Sequence, residues 1–275
     1  QMCIRDSIQT DFGYYSKDKE RGQYKTFTNT QQLITNINKY VEKNSSENIV
    51  GLFDVGDNTQ NGVDGIWLKN NHIGVYNYLF PPNKTNGGIL KIPTYECLGN
   101  HDYDQMNIKN YLFGPYDDKP ALTLQKRRNK VRRYKVNEDE ENGHYSCLFG
   151  KLRVIFINLW LSEGELVGKT VKNSIEYLKN DLSIKDKETP WILVTHYVIN
   201  DKDFLKIIGK HKNTCKAVLY GHAHVSKISF HFIESNIPKI LLPGPIGGTS
   251  SVPLFRYNPQ TNILEYSMPF NNDNS

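Results

Sequence analysis

The amino-acid sequence predicts an α/β domain whose site lies beyond the carboxyl ends of its strands. Three observations carry that expectation. Short apolar runs alternate with segments of helical periodicity, and four of those runs end in polar blocks: Gly56-Asp57-Asn58, Gly99-Asn100-His101-Asp102, Thr195-His196 and Gly221-His222-Ala223-His224. A chain of 275 residues with 38% hydrophobic content is long enough to bury one sizeable core.

Each element follows from local pattern. Leu33, Ile34, Ile37, Tyr40 and Val41 recur at helical spacing and read as the core face of a helix opened by the cap region Thr28/Thr30. Asn48 to Val55 reads as a strand delivering Gly56-Asp57, and Ile66 to Phe80 as a helix stopped by Pro81-Pro82. Ile92 to Leu98 is a second strand, delivering Gly99-Asn100-His101. Lys126, Arg127, Arg128, Lys130, Arg132, Arg133 and Lys135 precede an acidic stretch, Glu138 to Glu141, which predicts a solvated, charged hairpin insertion around residues 115–143. His144 to Phe149 and Leu152 to Trp160, either side of Gly150-Lys151, read as a hairpin of core strands. Val171, Ile175, Leu178 and Leu182 mark another amphipathic helix; Trp191 to Val194 is a strand ending at His196, and Ala217 to Tyr220 repeats the device before His222. The tail, from Ile228 through Ile240 to Met268, reads as antiparallel strands with a turn at Asn258 to Asn262. Gln1 to Ser7 shows neither targeting character nor a strand pattern and reads as a non-native or disordered leader, which leaves residues 8–275 as one domain.

Composition narrows the function. A net charge of +5, concentrated locally, does not by itself call for a nucleic-acid partner; the oligomeric state is open, and a monomer is compatible with the sequence. No apolar stretch approaches the roughly 20 residues of a membrane helix, so membrane insertion is not expected. Cys3, Cys97, Cys147 and Cys215 are scattered without a C-x-x-C pair and read as buried free thiols. Asn44-Ser45-Ser46 and Asn83-Lys84-Thr85 fit the glycosylation pattern but leave the compartment open.

The polar blocks bear the chemistry. Taken singly they are weak, because Gly-Asp-Asn occurs in ordinary turns and a lone histidine often closes a strand. Joined in order, Asp57, Asn100, His196, His222 and His224 form a hard and borderline ligand set that suits two divalent metals better than one structural zinc.

These blocks resemble the signature of the calcineurin-like metallophosphoesterases: D-x-H, GD, GNH followed by an acid, H, and G-H-x-H. Four of the five are present, and the similarity extends to His144-Tyr145-Ser146, to the helix from Ser174 to Leu182 and to Gly244–Gly248. The resemblance implies a four-layer αββα sandwich of two mixed sheets flanked by helices. It makes Asp57 the carboxylate bridging two metals, with Asn100, His196 and His222 on one metal and His224 on the other. It assigns His101 to the phosphate or leaving oxygen, with Asp102 behind it fixing the imidazole. Manganese, iron or zinc, singly or in mixed valence, would suit the set. Two such ions about 3.5–4 Å apart would acidify a bridging water for in-line attack on a phosphate mono- or diester.

The first block departs from the pattern. Ser7-Ile8-Gln9 stands where the family has D-x-H, with Gln9 in the slot of a D-x-Q variant and Ser7 in place of the aspartate; Asp6 and Asp11 are out of register. Two further readings follow. In one, a degenerate site on the same fold serves as a non-catalytic protein-binding scaffold. The other is a nuclease or nucleic-acid binder using the basic run from Lys126 to Lys135, where Tyr134 alone offers a base-stacking ring.

Overall fold

The computed structural model describes residues 2–5, 17–58, 64–65, 70–83, 89–99, 102, 120–158, 171–184, 188–197, 201–223, 225, 227–233, 236–243 and 252–268. Its first part holds β1 (Met2–Arg5), α1 (Lys17–Lys43), β2 (Gly51–Asp54), β3 (Asp64–Gly65), β4 (Asn70–Asn71), α2 (His72–Leu79), β5 (Thr94–Glu96) and α3 (Pro120–Lys130). Then come β6 (Lys135–Asp139), β7 (His144–Phe149), β8 (Leu152–Ile157), α4 (Val171–Ile184), β9 (Trp191–Thr195), α5 (Lys202–Lys210) and β10 (Cys215–Tyr220). The chain closes with β11 (Ser229–Ile233), β12 (Ile237–Leu241), β13 (Leu254–Asn258) and β14 (Ile263–Ser267).

Twelve of the fourteen described strands form two mixed sheets, ordered β14-β13-β1-β2-β5 and β11-β12-β10-β9-β8-β7-β6, and β3 and β4 pair antiparallel by themselves. Three apolar clusters glue four layers together. Between the sheets, Phe53, Tyr95 and Phe255 of the first meet Tyr145, Phe156, Val194 and Leu219 of the second. Outside the larger sheet, Ile155, Leu193 and Val218 pack on Leu178 of α4 and on Phe204 and Ile208 of α5. Outside the smaller one, Leu52 and Leu254 pack on Leu33, Ile34 and Ile37 of α1 and on Tyr76 and Leu79 of α2. This is the predicted αββα sandwich. Its central strands are apolar on both faces because both faces are covered: along β9, Ile192 and Val194 point between the sheets while Trp191 and Leu193 point to the helices. Each such side chain contributes about 1.5–3 kcal/mol by leaving water.

Several expectations need correction. Met2–Arg5 are not disordered: they form a strand between β2, in parallel register (Met2 opposite Gly51), and β13, antiparallel (Met2 opposite Phe255). Four residues are too few for an alternation to show, and tertiary pairing decides them. Helix α1 begins at Lys17 rather than at the Thr28/Thr30 cap, and Thr30 lies buried within it. The helix before Pro81 is confined to His72–Leu79. The tail divides: β11 and β12 pair antiparallel in the larger sheet, where β12 also runs parallel to β10, while β13 and β14 form a hairpin in the smaller one.

The charged insertion around 115–143 is overturned as well. Pro120–Lys130 is a helix opened by proline at its first position, and Lys135–Asp139 is an edge strand paired with β7. Its basic run is split by helical geometry. Arg127, Lys130 and Arg133 are exposed, whereas Arg128 and Arg132 are 2% and 5% exposed and converge on buried Glu96. Arg128 grips both Glu96 oxygens, at 2.9 and 3.0 Å, and Arg132 pairs with the same carboxylate. Burial alone would raise the Glu96 pKa; the two guanidinium groups outweigh it and hold the carboxyl below its usual range. Arg132 also lies over the rings of Tyr95 and Tyr145. Cys97, Cys147 and Cys215 are buried free thiols, as expected; burial pushes Cys147 up to about 12.

Candidate metal centre

Strands β2 and β5 run parallel in one sheet and β9 and β10 run parallel in the other, so the chain leaves all four toward a common edge. Backbone bonds close that edge: Gly221 N donates to His196 O at 3.0 Å, and Cys97 N donates to Asp54 O at 2.8 Å. The loops after these strands bring three predicted residues together. The His196 Nε2 lies 3.3 Å from Asp57 Oδ2 and 3.2 Å from His222 Nδ1. One donor atom from each of the three falls within 4.8 Å of the others, a spacing able to hold a cation.

The tautomer of His196 follows from its far nitrogen. Nδ1 sits 2.9 Å from Val55 O, a carbonyl that can only accept, so Nδ1 carries a proton and a neutral His196 turns the lone pair of Nε2 toward Asp57 and His222. One carboxylate and two neutral imidazoles sum to a single negative charge, and the mix of oxygen and nitrogen donors fits manganese, iron or zinc.

Holding these groups requires strained backbone. Asp57 has φ 53° and His222 φ 72°, both left-handed, a region that costs a non-glycine residue about 1–2 kcal/mol. At Gly56, φ is 109° and an added Cβ would lie 2.8 Å from His196 Nδ1; at Gly99 it would lie 2.2 Å from Asp57 Oδ1. No side chain fits at either position while the loops stay where they are. Two buried carboxylates brace the turn. Asp54 accepts from Gly56 N (3.3 Å) and from the Tyr76 hydroxyl (3.2 Å). Asp102 Oδ2 accepts from Gly99 N (2.9 Å), Asn58 N (3.2 Å) and Asn58 Nδ2 (3.3 Å), tying the loop after β2 to the loop after β5.

Asn100, His101, His224, Gln9 and the neighbouring Asp6, Ser7 and Asp11 lie outside the described residues, as do Gly244–Gly248. His144, a lesser candidate for the pocket wall, is fully buried: its Nδ1 accepts from Asn158 N at 3.1 Å and its ring packs on Tyr177. Two residues near the site escaped the sequence reading. Asn158, just after β8, accepts from Leu98 N at 2.8 Å and so anchors the approach to Gly99. Tyr197 places its ring against both His196 and His222. Burial, with Asp57 and Asp102 nearby, pushes its phenol pKa upward, so it stays protonated. An aromatic directly after a strand-end histidine was the available signal.

Comparison with known proteins agrees with this fold. The family described as calcineurin-like phosphoesterase matches residues 10–226. No curated protein sequence matches the chain. Among solved structures, a dimetal phosphatase from Danio rerio is similar at 11% identity and TM-score 0.54, with 90% of this chain and 88% of that one covered. A 5'-nucleotidase from Candida albicans is similar at 12% identity and TM-score 0.53; the match covers 99% of this chain but 52% of that protein, about half its length. At such identities the likeness is one of fold.

Proposed function

The chain belongs to the calcineurin-like phosphoesterase family and is a hydrolase acting on phosphoester bonds; within that class we propose that it cleaves a phosphate mono- or diester at a two-metal centre built on Asp57. The observation that carries this reading is the convergence of Asp57, His196 and His222 from two different sheets, with the His196 lone pair turned into the cluster by Val55. Asp57, Asn100, His196 and His222 would hold one ion, and Asp57 with His224 the other. Bound there, the ions would polarise a phosphoryl oxygen and supply an acidified water.

The protein's own contribution is placement. Val55 fixes the His196 tautomer, and Asp54 and Asp102 set the turns that present Asp57 and the loop carrying His101. His101 meets the phosphate or the departing oxygen and can give that oxygen a proton. Neutral imidazoles suit this task, because further carboxylates would repel an anionic substrate.

The test pairs metal content with turnover of an aryl phosphate and an aryl phosphodiester. Asp57→Asn should remove bound manganese and all turnover while the protein stays folded, since asparagine tolerates the left-handed backbone at this position. His101→Ala should cut kcat about 100-fold or more with metal content nearly intact. Wild-type protein that is folded and metal-loaded yet cleaves neither ester, even with Ser7→Asp restoring the first-block carboxylate, would transfer the reading to the protein-binding scaffold.

A further inference from the structure

We propose that Tyr197 is a positioning residue for the metal centre, its ring holding the His222 imidazole against His196. The inference rests on the reading that Asp57, His196 and His222 take a cation. These three side chains are not equally constrained. Asp57 and His196 are 0% exposed and sit in packed surroundings, whereas His222 is solvent-exposed and carried on left-handed backbone at φ 72°. A cation needs the rotamer that points the His222 Nδ1 toward His196, the one the structure shows.

Three rings make that selection in advance. Tyr197 and His222 have centroids 4.7 Å apart at 54°, Tyr197 and His196 4.9 Å at 72°, and the two imidazoles 5.1 Å at 81°. All three fall in the range where tilted or edge-on aromatic contacts are attractive. Tyr197 can serve as the fixed wall because it is itself anchored: it is 7% exposed and belongs to the apolar cluster with Phe204 and Ile208 of α5. The core therefore reaches the exposed His222 through one ring, in the way outer groups orient ligating histidines in metalloproteins generally.

The experiment measures zinc affinity by competition with a chromophoric chelator, at a temperature well below each variant's melting midpoint. Tyr197→Leu should weaken zinc binding about tenfold or more, the range typical of lost outer-shell support, and Tyr197→Phe should restore it to within about threefold. In a His222→Ala background the Tyr197→Leu effect should vanish, since the ring acts through His222. A residue that merely stabilises the fold would lower the melting midpoint and leave the affinity of folded protein unchanged; that result overturns the proposal. Should Tyr197→Leu fail to fold, Tyr197→Met replaces it, and the wild-type protein gives a second readout: the His222 ring protons should be shifted upfield in the NMR spectrum by the Tyr197 ring current. Unshifted protons also overturn it. If wild-type protein binds zinc and only the Tyr197 effects are missing, this inference falls alone; if wild-type protein binds no zinc, it falls together with the metal-centre reading.

Discussion

Two buried polar clusters share the end of β5, and they are built on opposite principles. Glu96, the last residue of that strand, meets Arg128 and Arg132, so a buried anion is answered by the protein's own cations. A few residues on, the loop presses against Asp57, whose neighbours are imidazoles, one of them committed to a carbonyl through its protonated nitrogen. Buried charge that is neutralised from within is a device for fixing elements in place; a carboxylate and imidazoles that converge on one point form a place for chemistry. The same length of backbone bears both, so the first holds the second in position.

The sharpest way to break this comparison is to remove Glu96. Glu96→Gln leaves two buried guanidinium groups without their carboxylate and should destabilise the fold by about 3–5 kcal/mol, read by urea denaturation, where Asp57→Asn changes metal affinity far more than stability. The pH dependence sharpens it. The Glu96 pKa is lowered in the folded state from a reference of 4.5, so its contribution is complete above that value and is lost as pH falls through the folded-state pKa. Wild-type protein should therefore show an acid limb in stability below about pH 4.5 that is flattened in Glu96→Gln. An equally steep limb in the variant would place the acid sensitivity elsewhere.

Gly99 packs the loop after β5 directly against the metal-binding cluster. Its Cβ position lies 2.2 Å from Asp57 Oδ1, 2.7 Å from Asp57 N and 2.8 Å from His196 Cδ2, so Gly99→Ala must push at least one donor aside. Overpacking of this kind costs about 1–3 kcal/mol. Metal affinity should fall by more than stability alone explains, and a crystal structure of the variant should show Asp57 displaced. Unaltered metal binding would mean that the loops separate easily and that the strained turn at Asp57 does not hold the site.

What the sequence discloses follows the same division. The strand ends at Asp57, His196 and His222 are legible because each follows an apolar run, and the order of the blocks makes chance an inadequate account. Strands β9 and β10 and helix α4 were read nearly to their ends, since both of their faces or one full stripe are apolar. The Glu96 cluster was not legible. Arg128 and Arg132 lie 32 and 36 positions beyond their partner, inside a run in which seven of ten residues are basic, and a charge run reads as a solvated face until its counter-charge is located in space. β1 was missed because Met2–Arg5 is too short to show a period and owes its state to β2 and β13. Tyr197 was passed over because an aromatic at a strand end serves a core as readily as a site.

The smallest expected effect tests whether that basic run really divides into an inner and an outer set. Arg127, Lys130 and Arg133 are exposed on the same segment that buries Arg128 and Arg132. Solvated charges contribute little to stability, so replacing those three together with glutamine should change the denaturation free energy by less than about 1 kcal/mol and leave hydrolysis of a small aryl phosphate unaltered. If binding of single-stranded DNA, measured by fluorescence anisotropy, is present in the wild type and disappears in the triple variant, the outer set is a polyanion surface and the nucleic-acid reading regains its footing. If neither variant nor wild type binds, the run's function is the one its two buried members display: arginines at 128, within helix α3, and at 132, two residues beyond its end, clamp the strand that leads to Gly99.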